Sequence, residues 1–227
     1  MNKSLNNTPI LVLTGVSCVG KTTTAYEIIQ RNSIFRRASE LDIIRAILRT
    51  NVSEMKSYGY ITEEQVSKRY EALFSSLTFS DYGCAKKQSE ILLPYVKEII
   101  LRQQRRKIPT VIEGAGIVPS TYFPNNVPLE WLNEYVIFVN LHLASEQEHL
   151  VRRYSRCLER NYEYNKSTNQ SIVNNIRENK SQVLHSETSV LSKKISNVFS
   201  VDVTGLSSKE VSEHIIELLD NYLSSLQ

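Results

Sequence analysis

The chain alternates short apolar runs with longer stretches in which apolar residues return every three or four positions. Residues 10–13, Ile-Leu-Val-Leu, are uninterrupted and β-branch-rich, as a strand covered on both faces requires. Residues 35–39, 110–113, 135–141 and 198–203 read as four further strands, and 135–141 is the most strand-like run in the chain. Between them the period changes. Ala25, Ile28 and Ile29 predict a helix opening near Gly20, and Ile43, Ile44, Ile47 and Leu48 mark one face of a helix over 41–50. Thr62-Glu63-Glu64-Gln65 is a helix-start signature. A long helix is expected through 91–101, with a kink or restart at Pro94. Residues 146–160 read as helical, Ile172, Ile176, Val183, Leu184, Leu191 and Ile195 recur at helical spacing, and 207–223 closes the chain as a helix. Five strands with helices between them predict an α/β fold with a doubly wound parallel sheet, whose ligand sits at the carboxyl ends of the strands.

Composition narrows this little. The 227 residues suffice for one α/β domain, 1–227, and no Pro- or Ser-rich linker divides them. A net charge of +3 is too small to imply a nucleic-acid partner. The polar start, residues 1–8, lacks the apolar core of a secretory signal, and no apolar run is long enough to span a bilayer. Cys18, Cys84 and Cys157 are too scattered for a disulfide framework or a metal site, so a cytoplasmic protein with reduced thiols is expected. Nothing in the sequence specifies an oligomeric state.

The chemistry is carried by Gly15-Val16-Ser17-Cys18-Val19-Gly20-Lys21-Thr22, which follows the first strand and opens the first helix. A glycine-bounded turn lets successive backbone N–H groups face inward, and the helix adds the positive end of its dipole, so the segment is built for phosphates. Lys21 supplies a charge for the β- and γ-phosphates, the Thr22 hydroxyl a ligand for magnesium, and Thr23 a reach toward the α-phosphate. ATP or GTP with Mg2+ is therefore the expected ligand pair.

Around this loop stand candidate partners. Asp42 and Arg45 share a helix face, where a carboxylate can accept an acceptor's hydroxyl proton and an arginine can grip an anion. A surface i, i+3 pair is the plainer alternative. Glu113 ends the third strand, placed to hold a magnesium-bound water or the acceptor, and Gly114-Ala115-Gly116 permits close approach of backbone. Arg152, Arg153, Arg156 and Arg160 crowd one helix, whose apolar face is Leu150, Tyr154 and Leu158. Arginines on a lid can neutralise a transferred phosphoryl group, and a solvated basic face is the alternative. Residues 161–171 read as the lid tip, within a lid over 150–171. The cluster Arg102, Arg105, Arg106 and Lys107 suits a helix C-terminus. His149 lies near the lid arginines and reads as surface or core, with a place on a binding face as the alternative.

Glu40-Leu41-Asp42-Ile43-Ile44-Arg45 and Val111-Ile112-Glu113-Gly114-Ala115-Gly116-Ile117-Val118-Pro119, in this order after the phosphate loop, resemble the 2-phosphoglycerate kinase and 2-phosphoglycerate kinase-like P-loop proteins. The likeness runs over about residues 9–220. It implies a nucleoside-monophosphate-kinase-like three-layer α/β/α sandwich with a five-stranded parallel sheet, a helical acceptor-side insertion over 41–108 and an arginine-rich lid. It also implies ATP-dependent phosphoryl transfer to a small-molecule acceptor. Asp42 and Arg45 match the acceptor-binding segment, Glu113 the family's acid, and Arg152, Arg153 and Arg156 its lid. Gly116 stands where the family has a histidine, which implies a larger pocket. Two further readings are a nucleotide-dependent regulatory protein and a nucleotide or nucleoside kinase.

Overall fold

The computed structural model describes residues 7–75, 82–159 and 180–226, apart from the side chains at 157–159 and 180–182. Arg160, the expected lid tip 161–171, Ile172 and Ile176 lie outside the described residues. Five strands form one sheet: β1 Ile10–Thr14, β2 Arg37–Glu40, β3 Thr110–Glu113, β4 Val136–His142 and β5 Val198–Asp202. Their order is β2-β3-β1-β4-β5, and every pairing is parallel. This is the expected α/β architecture, with the strands within two residues of the boundaries read from sequence.

The pleat sorts the apolar residues into two cores. Leu11, Leu13, Val111, Ile137 and Val139 face one side, where α1 (Lys21–Arg31) and the final helix (Ser208–Ser225) bury Ala25, Ile28, Val211, Ile215 and Leu219 against them. Ile10, Val12, Ile112, Val136 and Phe138 face the other, against Leu92, Val96 and Ile100 of α4 (Tyr82–Arg105) and Tyr122 and Phe123. Tyr122 and Phe123 meet Phe138 at ring-centroid distances of 5.2 and 5.1 Å. Helices on both faces of the sheet make the three layers. The uninterrupted apolar runs of β1 and β4 are explained by burial on both sides.

Two helices precede α4, within the stretch read as a helical insertion: α2 (Leu41–Ser57) and α3 (Glu63–Phe74). The Thr62 signature closes as a reciprocal capping box with Gln65. Pro94 neither restarts nor ends α4, which continues through it. The acceptor it orphans is the Glu90 carbonyl one turn back, at an exposed position where water can bond it. A short helix α5 (Pro119–Tyr122) follows β3 and was not read from the sequence. α6 (Glu146–Glu159), α7 (Lys180–Ser192) and α8, the final helix, complete the described elements. No helix among the described residues is long and apolar enough to cross a membrane.

Candidate active site

β1 ends at Thr14, and the chain must turn at once into α1. Gly15 makes this possible: its φ is +138°, and a Cβ there would lie 2.3 Å from the Leu141 carbonyl oxygen. Val16 and Val19 sink into the core and pin the loop from below. Cys18 and Gly20 are both left-handed, at φ 71° and 94°, so the loop arches between them before α1 begins at Lys21. The result is a helix N-terminus at the end of β1, where the sequence places the phosphate-binding loop.

Lys21 is 7% exposed, and its Nζ donates to the Val16 carbonyl at 2.8 Å. Burial holds its pKa below the ordinary lysine value, against the opposing pull of Glu113 and Asp42, and the Arg156 charge adds to the depression. Thr22 Oγ1 donates to Glu113 Oε1 at 2.9 Å. β3 lies beside β1, with Leu13 and Glu113 in register, which brings the carboxylate to the loop. Glu113 is 4% exposed. Burial raises its pKa, Lys21 and the Thr22 bond work against that, and Asp42 and Glu40 add to the rise.

Glu40 is a neighbour that the sequence reading missed. It ends β2 in register with Glu113, and the Tyr26 hydroxyl donates to its Oε1 at 2.8 Å. Pairing of β2 with β3 rather than β1 is what brings it there, and no local signal marks it. His149 was also undervalued. It is 3% exposed, and its Nε2 lies 2.8 Å from the Ser17 carbonyl, so it is the Nε2–H tautomer that ties α6 to the loop. Burial lowers its pKa to about 4, with Arg153, Lys21 and Arg152 pushing the same way against the Ser17 bond.

The remaining candidates divide. Asp42 is exposed, and its charge acts on both Lys21 and Glu113. Arg45 feels the Asp42 charge, but its Nη2 donates to the Ser75 carbonyl beyond α3, while its buried Nε has no hydrogen-bond partner among the described residues. Arg156 is exposed and felt at Lys21, Arg153 is buried beside His149, and Thr23 is exposed at the start of α1. Arg152 stands apart. It donates to Glu148 Oε1 at 2.6 Å and to the carbonyls of Val203 and Leu206 at 3.2 and 3.3 Å. Its guanidinium is thus engaged by the turn after β5, because Glu148 sits one helical turn behind it.

The two glycines after Glu113 serve packing. A Cβ on Gly114 would lie 2.7 Å from Leu41 Cβ, so this glycine lets α2 close on β3. A Cβ on Gly116 would lie 3.0 Å from Leu92 Cδ1 and 4.0 Å from Gln88 Oε1. The expected enlargement of the pocket at Gly116 is therefore corrected: α4 side chains take up that space.

The donor set suits the expected ligands. A hydroxyl and a carboxylate 2.9 Å apart are the hard oxygen ligands that magnesium takes. No cluster of three or more His, Cys, Asp or Glu side chains among the described residues forms a self-sufficient metal cage.

No protein-family model matches the chain, and no curated protein matches it. Solved structures do. The protein TT1252 from Thermus thermophilus superposes with a TM-score of 0.53 at 16% identity, over 98% of this chain and 100% of that one. A gluconokinase from Sinorhizobium meliloti 1021 superposes with a TM-score of 0.50 at 13% identity, over 97% of each chain. The chain shares the fold of these two structures. At these identities the likeness speaks for the fold, and the chemistry has to be argued from the site.

Proposed function

We propose that this protein is an ATP- and magnesium-dependent kinase that phosphorylates a hydroxyl of a small metabolite. One observation carries the reading: the phosphate-loop hydroxyl of Thr22 is bonded to the buried carboxylate of Glu113, with Lys21 close enough to act on that carboxylate. That pair is what holds Mg2+ on a bound nucleotide, and the Asp42 carboxylate, whose charge acts on both Lys21 and Glu113, is the further acid that an acceptor hydroxyl needs. That one of the similar structures is a gluconokinase supports phosphoryl transfer to a small acceptor.

In this reading the loop from Gly15 to Gly20 and the N–H groups of Lys21, Thr22 and Thr23 hold the nucleotide phosphates. Lys21 leaves the Val16 carbonyl to neutralise the transferred group. Thr22 and Glu113 would hold Mg2+, which supplies charge neutralisation across the phosphates. Asp42 accepts the acceptor's hydroxyl proton, Arg45 binds the acceptor, and Arg156 and Arg153 bring positive charge from α6. Arg152 supports the turn after β5. The acceptor is a 2-phosphoglycerate-like acid or a specialised metabolite, and Glu113 with the Gly114–Gly116 turn borders it.

The deciding experiment measures ADP release from Mg-ATP across small hydroxylated and phosphorylated acids, 2-phosphoglycerate and gluconate included, with phosphorus NMR of the product. Transfer to one compound establishes the kinase and its acceptor. ATP binding with turnover indifferent to every compound turns the reading toward a nucleotide-dependent regulatory protein.

A further inference from the structure

Gln88 lies on α4 and is wholly buried. Its Nε2 donates to the Ser75 carbonyl at 3.2 Å, the same oxygen that receives Arg45 Nη2. Its Oε1 has no hydrogen-bond partner among the described residues, and it faces the Gly116 backbone, 4.0 Å from where a Cβ would stand. Arg45 Nε is likewise buried and unpartnered among the described residues. One carbonyl thus gathers two side chains from different helices and leaves each with one unused group: an acceptor on Gln88 and a donor on Arg45. Buried polar groups are rarely left so, and two of them converging on one oxygen call for a common partner.

The place matters as much as the count. Arg45 is one helical turn from Asp42, whose charge acts on Lys21 and Glu113. Gly116 is three residues past Glu113 on the loop leaving β3. The unused groups therefore belong to the helix that carries Asp42 and to a side chain facing the loop that follows Glu113.

We propose that Gln88 is the specificity-determining residue of the acceptor seat, and that with Arg45 it selects a small acid bearing a hydroxyl beside its anionic group. The inference rests on the kinase reading for the side on which the acceptor enters. The anionic oxygen takes the place of the Ser75 carbonyl, accepting from both Arg45 Nη2 and Gln88 Nε2, while that carbonyl turns out to water. A charge-assisted bond is stronger than the neutral one it replaces, and the exchange uncovers Gln88 behind it. The hydroxyl then donates to Gln88 Oε1. A neutral polyol gives Arg45 no counter-charge. An acid without the hydroxyl leaves the Gln88 oxygen unpaired, as it is in the free protein, and forgoes the bond that the hydroxy acid gains.

The test measures binding, with a non-hydrolysable ATP analogue and magnesium present, by calorimetry on the full chain. Ligands are 2-phosphoglycerate, glycerate, gluconate and shikimate, each beside its analogue lacking one hydroxyl, with glycerol as the neutral control. Wild type binds at least one hydroxy acid and not glycerol. Gln88→Leu weakens that acid about tenfold or more but leaves the acid without the hydroxyl nearly unaffected, and the ATP analogue changes less than about twofold. A merely structural role would weaken both acids alike. Gln88→Glu keeps the side-chain shape, so it serves if the leucine variant fails to fold, and its negative charge repels the acid by a similar factor. The proposal is overturned if no acid binds wild type, if both acids weaken equally, or if Gln88→Glu binds as wild type does. An acid that shows the Gln88 dependence yet gains no phosphate from ATP refutes the kinase reading and leaves this seat standing. One that is phosphorylated with Gln88-independent affinity does the reverse.

Discussion

The hydroxyl of Thr22 donates to Glu113 Oε1 at 2.9 Å, joining residues 91 positions apart in the chain. The bond exists because β1 and β3 are sheet neighbours with Leu13 and Glu113 in register, so the first turn of α1 and the end of β3 share one edge of the sheet. Thr22→Val keeps the shape and removes the hydroxyl. It should leave the melting temperature within a few degrees and lower turnover about a hundredfold or more, the scale of losing one preorganised polar group at a transferring phosphate. Steady-state kinetics with saturating Mg-ATP tests this, and turnover within threefold of wild type would remove Thr22 from the chemistry.

Lys21 and Glu113 hold one another's charge states. Burial raises the Glu113 pKa and Lys21 pulls it back. Lys21→Met removes the cation that opposes this rise, so the carboxyl should titrate at higher pH than in wild type. Carbon-13 NMR of labelled glutamate carboxyls reads the midpoint directly, and a downward move would contradict the pairing. The same variant should lose at least about a hundredfold in turnover while remaining folded.

His149 predicts an acid limit to stability. Its pKa in the folded chain is about 4 against an ordinary value of 6.5, so between these values the unfolded chain binds the extra proton. Its contribution is complete above about pH 6.5 and lost as pH falls toward about 4, on the order of 3 kcal/mol over that window. His149→Gln can keep the donor to the Ser17 carbonyl without titrating. Urea unfolding across pH should show the wild type losing that much relative to the variant below about pH 6.5, and parallel curves would refute it.

The two glycines that bound the phosphate loop should differ in tolerance. Gly20 has φ 94°, but the nearest atom to a Cβ there is 3.9 Å away, so Gly20→Ala meets backbone strain alone, about 1–3 kcal/mol. At Gly15 the same change adds overlap at 2.3 Å with a strand carbonyl that cannot move without breaking β4 from its neighbours. Gly15→Ala should cost distinctly more, above about 3 kcal/mol, and abolish nucleotide binding. Thermal unfolding with and without ATP orders the two, and equal losses would remove the steric argument.

Much of this was legible along the chain. Strands buried on both faces read as near-continuous apolar runs, and that placed β1, β3 and β4 within two residues. The phosphate loop was legible because its chemistry is local: a turn, a lysine and a hydroxyl within eight consecutive residues. Thr62 and Gln65 sit in one helix turn and announce their own cap. What needed the fold were relationships between distant segments. Glu40 reaches Glu113 because β2 pairs with β3, and His149 reaches Ser17 because α6 packs beside the loop. Arg45 donates to Ser75 beyond its own helix, Arg152 is drawn to the turn after β5, and the space before Gly116 is filled by Leu92 and Gln88. Periodicity and motif report what a residue does within its own turn or strand, and so the sequence alone determined the elements and the phosphate-binding chemistry. Which side chains meet across helices and strands depends on strand order and helix packing, which no local spacing encodes, so only the tertiary structure decided the acids around Lys21 and the buried partners of the acceptor side.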